Sequence, residues 1–270
     1  MNERNIIMET KKPNTVKTLY EDFLNLGVNS SDIVLVHSSM SSMGWICGGA
    51  QSVITALKEA VGSDGTIVMP AQSGDWSDPS GWENPPVPKE WIQMIYDNMP
   101  AFDPAVTPTR GMGRIAELFR TVPNTIRSNH PQRSFSANGK DAAYITEDHP
   151  LTPQFGIKSP LGKMYNLKTK VLLLGVGYDS CTSFHLSETF IKEMPKERLG
   201  TAILENGQRC WKWFEDYAYD IDGFELIGKE FEGKYNVQIG KVGNADCRLF
   251  DMKEAVDFAK ERLSKYRFNK

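Results

Sequence analysis

The chain has 270 residues, 40% of them hydrophobic and 24% charged, with a formal net charge of −3. That length suits one large domain or two small ones, and the composition excludes disordered and fibrous classes. The slight negative balance speaks against a nucleic-acid partner, which needs a basic face for phosphates.

The start "MNERNIIMETKKPN" is polar and lacks the apolar core of a signal peptide. No apolar run reaches the roughly 18 residues that span a bilayer. Cys47, Cys181, Cys210 and Cys247 lie far apart without a CxxC pair, which argues against zinc and against a disulfide framework. A cytoplasmic protein with no metal and no membrane partner is expected.

In chain order, Val16, Leu19, Tyr20, Phe23 and Leu24 recur at helical spacing until Gly27. "DIVLVH" reads as a buried strand, "AQSVITALKEAVG" as a helix closed by Gly62, and "GTIVMP" as the next strand. This order predicts an α/β unit with a parallel sheet. Residues 71–108 turn rich in Pro, Gly, Trp and Asp and read as a long structureless binding insertion. "GRIAELFRTV" returns to helix, "SPLGKMYNL" is a short helix and "KVLLLGV" the third clear strand. Asn206-Gly207 signals a hairpin, and "DFAKERLSKYRF" ends the chain as a helix. With no repeat or linker, a single domain over residues 1–270 is expected.

Three stretches carry candidate chemistry. "HSSMSSMGWICGGA" lies between a strand and a helix, so its backbone N–H groups either cradle an anion or form a plain capped turn. It is neither GxxxxGK[ST] nor GxGxxG. "TPTRGMGRIAELFR" offers Thr109 as a helix cap and Gly111 and Gly113 for close backbone approach. Arg110, Arg114, Arg127 and Arg133 pair either with phosphates or with local carboxylates, and Pro131 holds His130 extended. In "GYDSCTSFHLSETF", a helix starting near Thr182 or Ser183 puts His185 and Glu188 on one face. That spacing fits either a general-base pair or a Ser183 cap with a packed histidine. The absence of GxSxG and HExxH weakens hydrolase alternatives.

Five ordered blocks then matter together: "VLVHSSMSSMGWICGGAQSVITAL", "GTIVMPAQS", "TPTRGMGRIAELFRTVPNTIRSNHPQRSFSANG", "FGIKSPLGKMY" and "VLLLGVGYDSCTSFHLSE". Across these, roughly Val34 to Glu188, the chain resembles the aminoglycoside 3-N-acetyltransferase family, with a looser match through "WFEDYAYDIDGF". The resemblance implies a single α/β domain with a central, mostly parallel sheet flanked by helices, distinct from the GNAT fold. It implies acetyl-CoA as co-substrate, the 3-amino group of a cationic aminosugar antibiotic as acceptor, and hence a part in antibiotic resistance. It assigns the coenzyme to Ser38, Ser39, Ser41, Gly44, Gly48, Gly49 and Ala50, with Thr109, Met112, Gly113, Phe135 and Ala137 lining the same channel. It makes His185 the general base, with His130 in reserve and His37 and His149 supporting.

An amine attacks a thioester only when unprotonated, and imidazole has a reference pKa of about 6.5. Glu188 is expected either to orient His185 or to bind a sugar ammonium. Backbone N–H groups around Gly48–Ala50 or the Thr182 hydroxyl are candidate donors to the developing oxyanion. Direct transfer in a ternary complex is expected, since Cys181 and Cys47 have no activating base in sequence. Acidic and aromatic residues suit a cationic acceptor, and Asp75, Trp76 and Asp216 are the expected contacts alongside Glu188. Another amine acceptor, or a non-catalytic CoA-binding protein, are the alternatives, and a homodimer is left open.

Overall fold

The structure, a computed structural model, describes residues 3–268; the first two and last two residues of the expected 1–270 span lie outside it. A short helix α1 (Glu3–Glu9) precedes α2 (Val16–Leu26). Thr15 and Thr18 open α2 with a reciprocal capping box, and Gly27 closes it at φ 105°. β1 (Ile33–Ser38) leads into α3 (Gly49–Val61), and β2 (Thr66–Pro70) follows. A long excursion holds α4 (Ile92–Asn98) before α5 (Gly113–Phe119), β3 (Ile126–Arg127) and β4 (Phe135–Gly139). Next come α6 (Ala142–Thr146), α7 (Pro160–Asn166), β5 (Thr169–Leu174) and α8 (Phe184–Glu188). β6 (Lys196–Glu205), β7 (Gln208–Tyr217), α9 (Phe224–Glu232), β8 (Gln238–Val242), β9 (Ala245–Asp251) and α10 (Met252–Phe268) complete the chain.

The three apolar runs of the sequence form the centre of a seven-stranded sheet ordered β3-β4-β2-β1-β5-β9-β8. β1 pairs in parallel with both β2 and β5. β4 and β9 run antiparallel to these, and β3 and β8 reverse again at the edges. The sheet is therefore mostly parallel in strand direction, with antiparallel flanks. Such strands are covered on both faces, which explains their continuous apolar runs. Val34 and Val36 of β1 pack with Leu19, Leu57 and Phe119 of α2, α3 and α5 on one face. Leu35 packs with Leu161, Phe184 and Val256 of α7, α8 and α10 on the other. Truncating a core residue such as Leu57 to Ala costs about 2–5 kcal/mol.

Four expectations change. The polar start forms α1, tied down where the Thr10 hydroxyl donates to Ile6 O and accepts from Trp45 N–H. Residues 71–108 are not structureless: they hold α4 and three 3-10 turns, and are anchored to the β6–β7 hairpin by Arg209, which donates to Met99 O at 3.0 Å, and by Tyr96, 4.7 Å from Trp211. Thr109 does not cap α5, which begins at Gly113; its N–H and hydroxyl instead donate to Glu117. β8 and β9 were unforeseen, because the exposed edge segment "QIGKV" alternates too little to be seen. The Asn206-Gly207 hairpin is present, with φ 53° and 77° as a type I′ turn needs.

β1 sends the chain to α3 on one face and β5 sends it to α8 on the other. Connections that diverge in this way open a crevice beyond the carboxyl ends of the strands. Among the described residues, no helix is long and apolar enough to cross a membrane.

Candidate active site

A cleft of about 270 Å3 occupies that crevice. His37 and Ser38 reach it from β1, Gln72 from just past β2, and Asp179, Ser180, Thr182 and His185 from the segment after β5. Arg133, Met112 and Ile221 complete its walls.

His185 lies in the short α8, where a spacing of three puts it over Glu188. Its Nδ1–H donates to Glu188 Oε2 at 2.5 Å. The other Glu188 oxygen accepts from Arg267 in the last turn of α10 and from the Asp220 N–H at 3.2 Å. Arg267 also donates to Asp220 O at 2.5 Å, so the carboxylate is clamped from three directions. The imidazole stacks on Phe155 at 4.8 Å and meets Tyr219 edge-on at 5.6 Å. Among the described residues its Nε2 has no hydrogen-bond partner, and the ring lines the cleft. Ser183 stands at the head of α8 but makes no capping bond; its hydroxyl meets Cys181 Sγ at 3.1 Å. Of the two arrangements the spacing permitted, the structure has the imidazole–carboxylate pair.

The other histidines differ. His130 Nδ1 accepts from the N–H groups of Gln132 and Arg133, and its Nε2 donates to Leu151 O. Fully enclosed, with burial pulling its pKa well below the usual histidine value, it is a loop brace and not a reserve base. His149 accepts from the Ser128 hydroxyl and donates to Gln154 O at 2.7 Å, and burial pulls its pKa down to about 4. His37 has no partner for Nε2; burial, with His185 nearby, holds it down to about 3 and therefore neutral. Cys181 is fully buried and pushed up to about 12, which leaves no thiolate nucleophile there.

The expected coenzyme residues divide into groups. Ser38 and Met112 border the His185 cleft. Thr109, Met112 and Gly113 border an open groove of about 570 Å3, and Gly111 and Met112 border both cleft and groove. Ser41 and Gly44 line a separate depression under α1, and Ser39 bonds Ser41 at 3.2 Å. Gly48, Gly49 and Ala50 open α3; Gly48 has φ 81°, and a Cβ there would meet Ser52 Oγ at 2.4 Å. Phe135 and Ala137 are corrected: both are fully buried in the core, so neither side chain lines a channel. Phe135 instead backs Phe155 edge-on at 6.3 Å, behind the His185 stack.

The expected acceptor contacts fare less well. Glu188 is fully buried with both oxygens taken, so it orients His185 and has no free face for a sugar ammonium. Asp216 is buried and accepts from Gln154 N–H at 2.7 Å, which fixes the loop that carries Phe155. Asp75 is paired with Arg110 in a neighbouring depression, and the Trp76 indole donates to Pro100 O. The carboxylate that does line the cleft is Asp179, exposed and, among the described residues, without an ion pair. It stands in the stretch that carries His185, and its place just after a β-strand was the signal available. Arg133 was among the arginines the sequence singled out, whereas Arg267 and Gln72 gave no comparable local signal. Among the described residues no group of three or more His, Cys, Asp or Glu is placed to hold a metal.

Comparison with known proteins places this geometry. The family model described as aminoglycoside 3-N-acetyltransferase matches residues 35–264. The SPbeta prophage-derived aminoglycoside N(3')-acetyltransferase-like protein YokD of Bacillus subtilis is 47% identical over 96% of this chain and 95% of its own. Its crystal structure superimposes with a TM-score of 0.96, at 46% identity and covering 97% of each chain. Aminoglycoside N(3)-acetyltransferase VII of Streptomyces paromomycinus is 32% identical over 96% of this chain and 94% of its own. A solved AAC-IIIb binary complex with CoASH is 30% identical, with a TM-score of 0.83 over 94% of this chain and 98% of that one.

Proposed function

Because this chain belongs to the aminoglycoside 3-N-acetyltransferase family, we propose that it moves acetyl from acetyl-CoA to the 3-amino group of an aminoglycoside. The observation that carries this is the His185–Glu188 pair, whose Nδ1 is held by a buried carboxylate while Nε2 faces the cleft. A carboxylate on Nδ1 fixes the tautomer and makes Nε2 the basic nitrogen.

The residues present fit the donor. The cleft and the neighbouring groove, with Gly111 and Met112 in the lining of both, suit a long, extended ligand. The N-terminus of α3 at Gly48–Ala50 presents N–H groups for phosphate oxygens. Bound there, acetyl-CoA supplies its acetyl group as an activated thioester. His185 Nε2 takes the proton from the attacking amine, and Glu188, held by Arg267 and the Asp220 N–H, stabilises the imidazolium. The Thr182 hydroxyl, on the cleft wall, is the donor for negative charge developing on the acyl oxygen. Asp179 draws the acceptor ammonium into the cleft. Transfer is direct: the buried Cys181 cannot serve as a covalent relay, and the exposed Cys47 is not among the residues that line the His185 cleft.

The test is thiol release from acetyl-CoA with gentamicin, sisomicin and simple amines, followed by NMR of the product. Release with an aminoglycoside and an acetamide at N3 is expected. Tight coenzyme binding with no release from any acceptor would make the protein a CoA-binding module instead.

A further inference from the structure

Arg133 lines the same cleft as His185, yet among the described residues no carboxylate pairs with it directly. Its guanidinium makes one side-chain hydrogen bond, from NH1 to the neutral Gln72 Oε1 at 3.0 Å. Its Nε is shut off from solvent and has no partner. Among the described residues no carboxylate lies within ion-pair distance; Glu197 and Asp216 act on it only from further away. Arginines close to the cleft are handled differently. Arg110 has Asp75, Arg120 has Glu117, Arg267 has Glu188, and Arg127 is wrapped by Ser134, Thr107 O, Ala71 O and Ser73. A half-buried arginine in a cleft wall, with its Nε unpartnered and no carboxylate in ion-pair distance, is a ready site for an anionic ligand.

Its position is fixed. The Arg133 N–H donates to His130 Nδ1 at 2.9 Å, which ties it to the enclosed His130 turn. The guanidinium lies 5.8 Å from the centre of the Phe155 ring, the ring on which His185 stacks. Arg133 and His185 thus share both the Phe155 ring and the lining of one cleft. The phosphates of the donor are not the counter-charge, because the whole pantetheine arm separates them from the thioester that must meet His185. The anion has to come from the acceptor.

We propose that this cleft acetylates amines that carry an anionic group, a carboxylate or a phosphate, and that Arg133 is the residue that binds the anion. This rests on the acetyltransferase assignment and extends it to a second class of acceptor. Asp179 meets the ammonium of such a molecule and Arg133 its anion, so the cleft matches a zwitterion at both ends. The amine nitrogen forms its bond to the acetyl carbon as the carbon–sulfur bond breaks. His185 takes the amine proton and returns it to the departing thiolate, leaving an amide and the coenzyme thiol.

Acetylation of glucosamine, glucosamine 6-phosphate and 2-amino-2-deoxyglucuronic acid tests this, with gentamicin alongside, in the wild-type enzyme and in Arg133→Gln and Arg133→Lys. The wild type is expected to favour at least one anion-bearing sugar over glucosamine by about tenfold or more in kcat/KM. The phosphate and carboxylate arms distinguish which anion is read. Arg133→Gln should erase that preference through the acceptor KM, and Arg133→Lys should keep part of it. No preference in the wild type overturns the inference, as does an Arg133→Gln variant whose KM for acetyl-CoA rises equally with every acceptor. Activity on gentamicin with none on the anion-bearing sugars overturns it while leaving the acetyltransferase assignment standing; inactivity on every amine overturns both.

Discussion

His185 and the His130–His149 pair carry the same ring and share a wall of aromatic side chains, with His130 and His149 only 4.6 Å apart and Phe135 and Phe155 between them and His185. Every nitrogen of His130 and His149 is spent on backbone groups or on the Ser128 hydroxyl. Burial drives both pKa values down, and outweighs the Leu151 and Gln154 carbonyls, which favour the protonated ring. His185 has a carboxylate on one nitrogen and the open cleft at the other. Burial alone makes a brace; burial with a counter-charge and a vacant nitrogen makes a base.

Substitutions should separate the two kinds of histidine. His185→Ala is expected to lower kcat by about 10²–10⁴-fold, the range for losing a general base. His130→Asn should act mainly on stability, and equal losses of kcat in the two variants would erase the distinction. Glu188→Gln removes the anion that Arg267 is clamped against. A buried pair broken on one side costs about 3–5 kcal/mol, so urea unfolding should show that loss together with a fall in kcat.

The braces also predict a pH response. His149 titrates at about 4 in the folded protein against about 6.5 when unfolded. The unfolded chain therefore binds more protons between these values, and stability is lost as pH falls from about 6.5 towards 4. The contribution from His149 is about 3 kcal/mol, with His37 acting in the same direction. Denaturant midpoints at pH 7 and pH 4.5 check this, and a flat profile would contradict it. The smallest effects belong to the acidic residues. Asp179→Asn should raise the KM of a cationic acceptor several-fold, a loss of about 1 kcal/mol. Asp75→Asn should leave that KM within about twofold, since Asp75 is already engaged by Arg110.

Much of the fold was legible because its central strands are apolar throughout, as strands covered on both faces must be. The His185–Glu188 pair was legible for a local reason, since a spacing of three on a helix is visible in the sequence. What was hidden depends on partners far along the chain. Arg267 lies 79 residues from the carboxylate it clamps, and Asp216 lies 62 residues from the Gln154 N–H that occupies it. An acidic residue read by itself looks free for a cationic ligand; only the folded contacts reveal that Asp75, Asp216 and Glu188 are taken. Phe135 followed the same pattern, being part of a matching block but turned into the core.

The central claim is that His185, poised by Glu188, removes the amine proton. The most direct test is the pH dependence of kcat for acetyl transfer to gentamicin by the wild type and by His185→Ala. The wild-type rate should reach a plateau, while the variant should be slow and climb steadily with pH as the amine loses its proton unaided. A variant that keeps the wild-type plateau and its height would show that the proton leaves by another route.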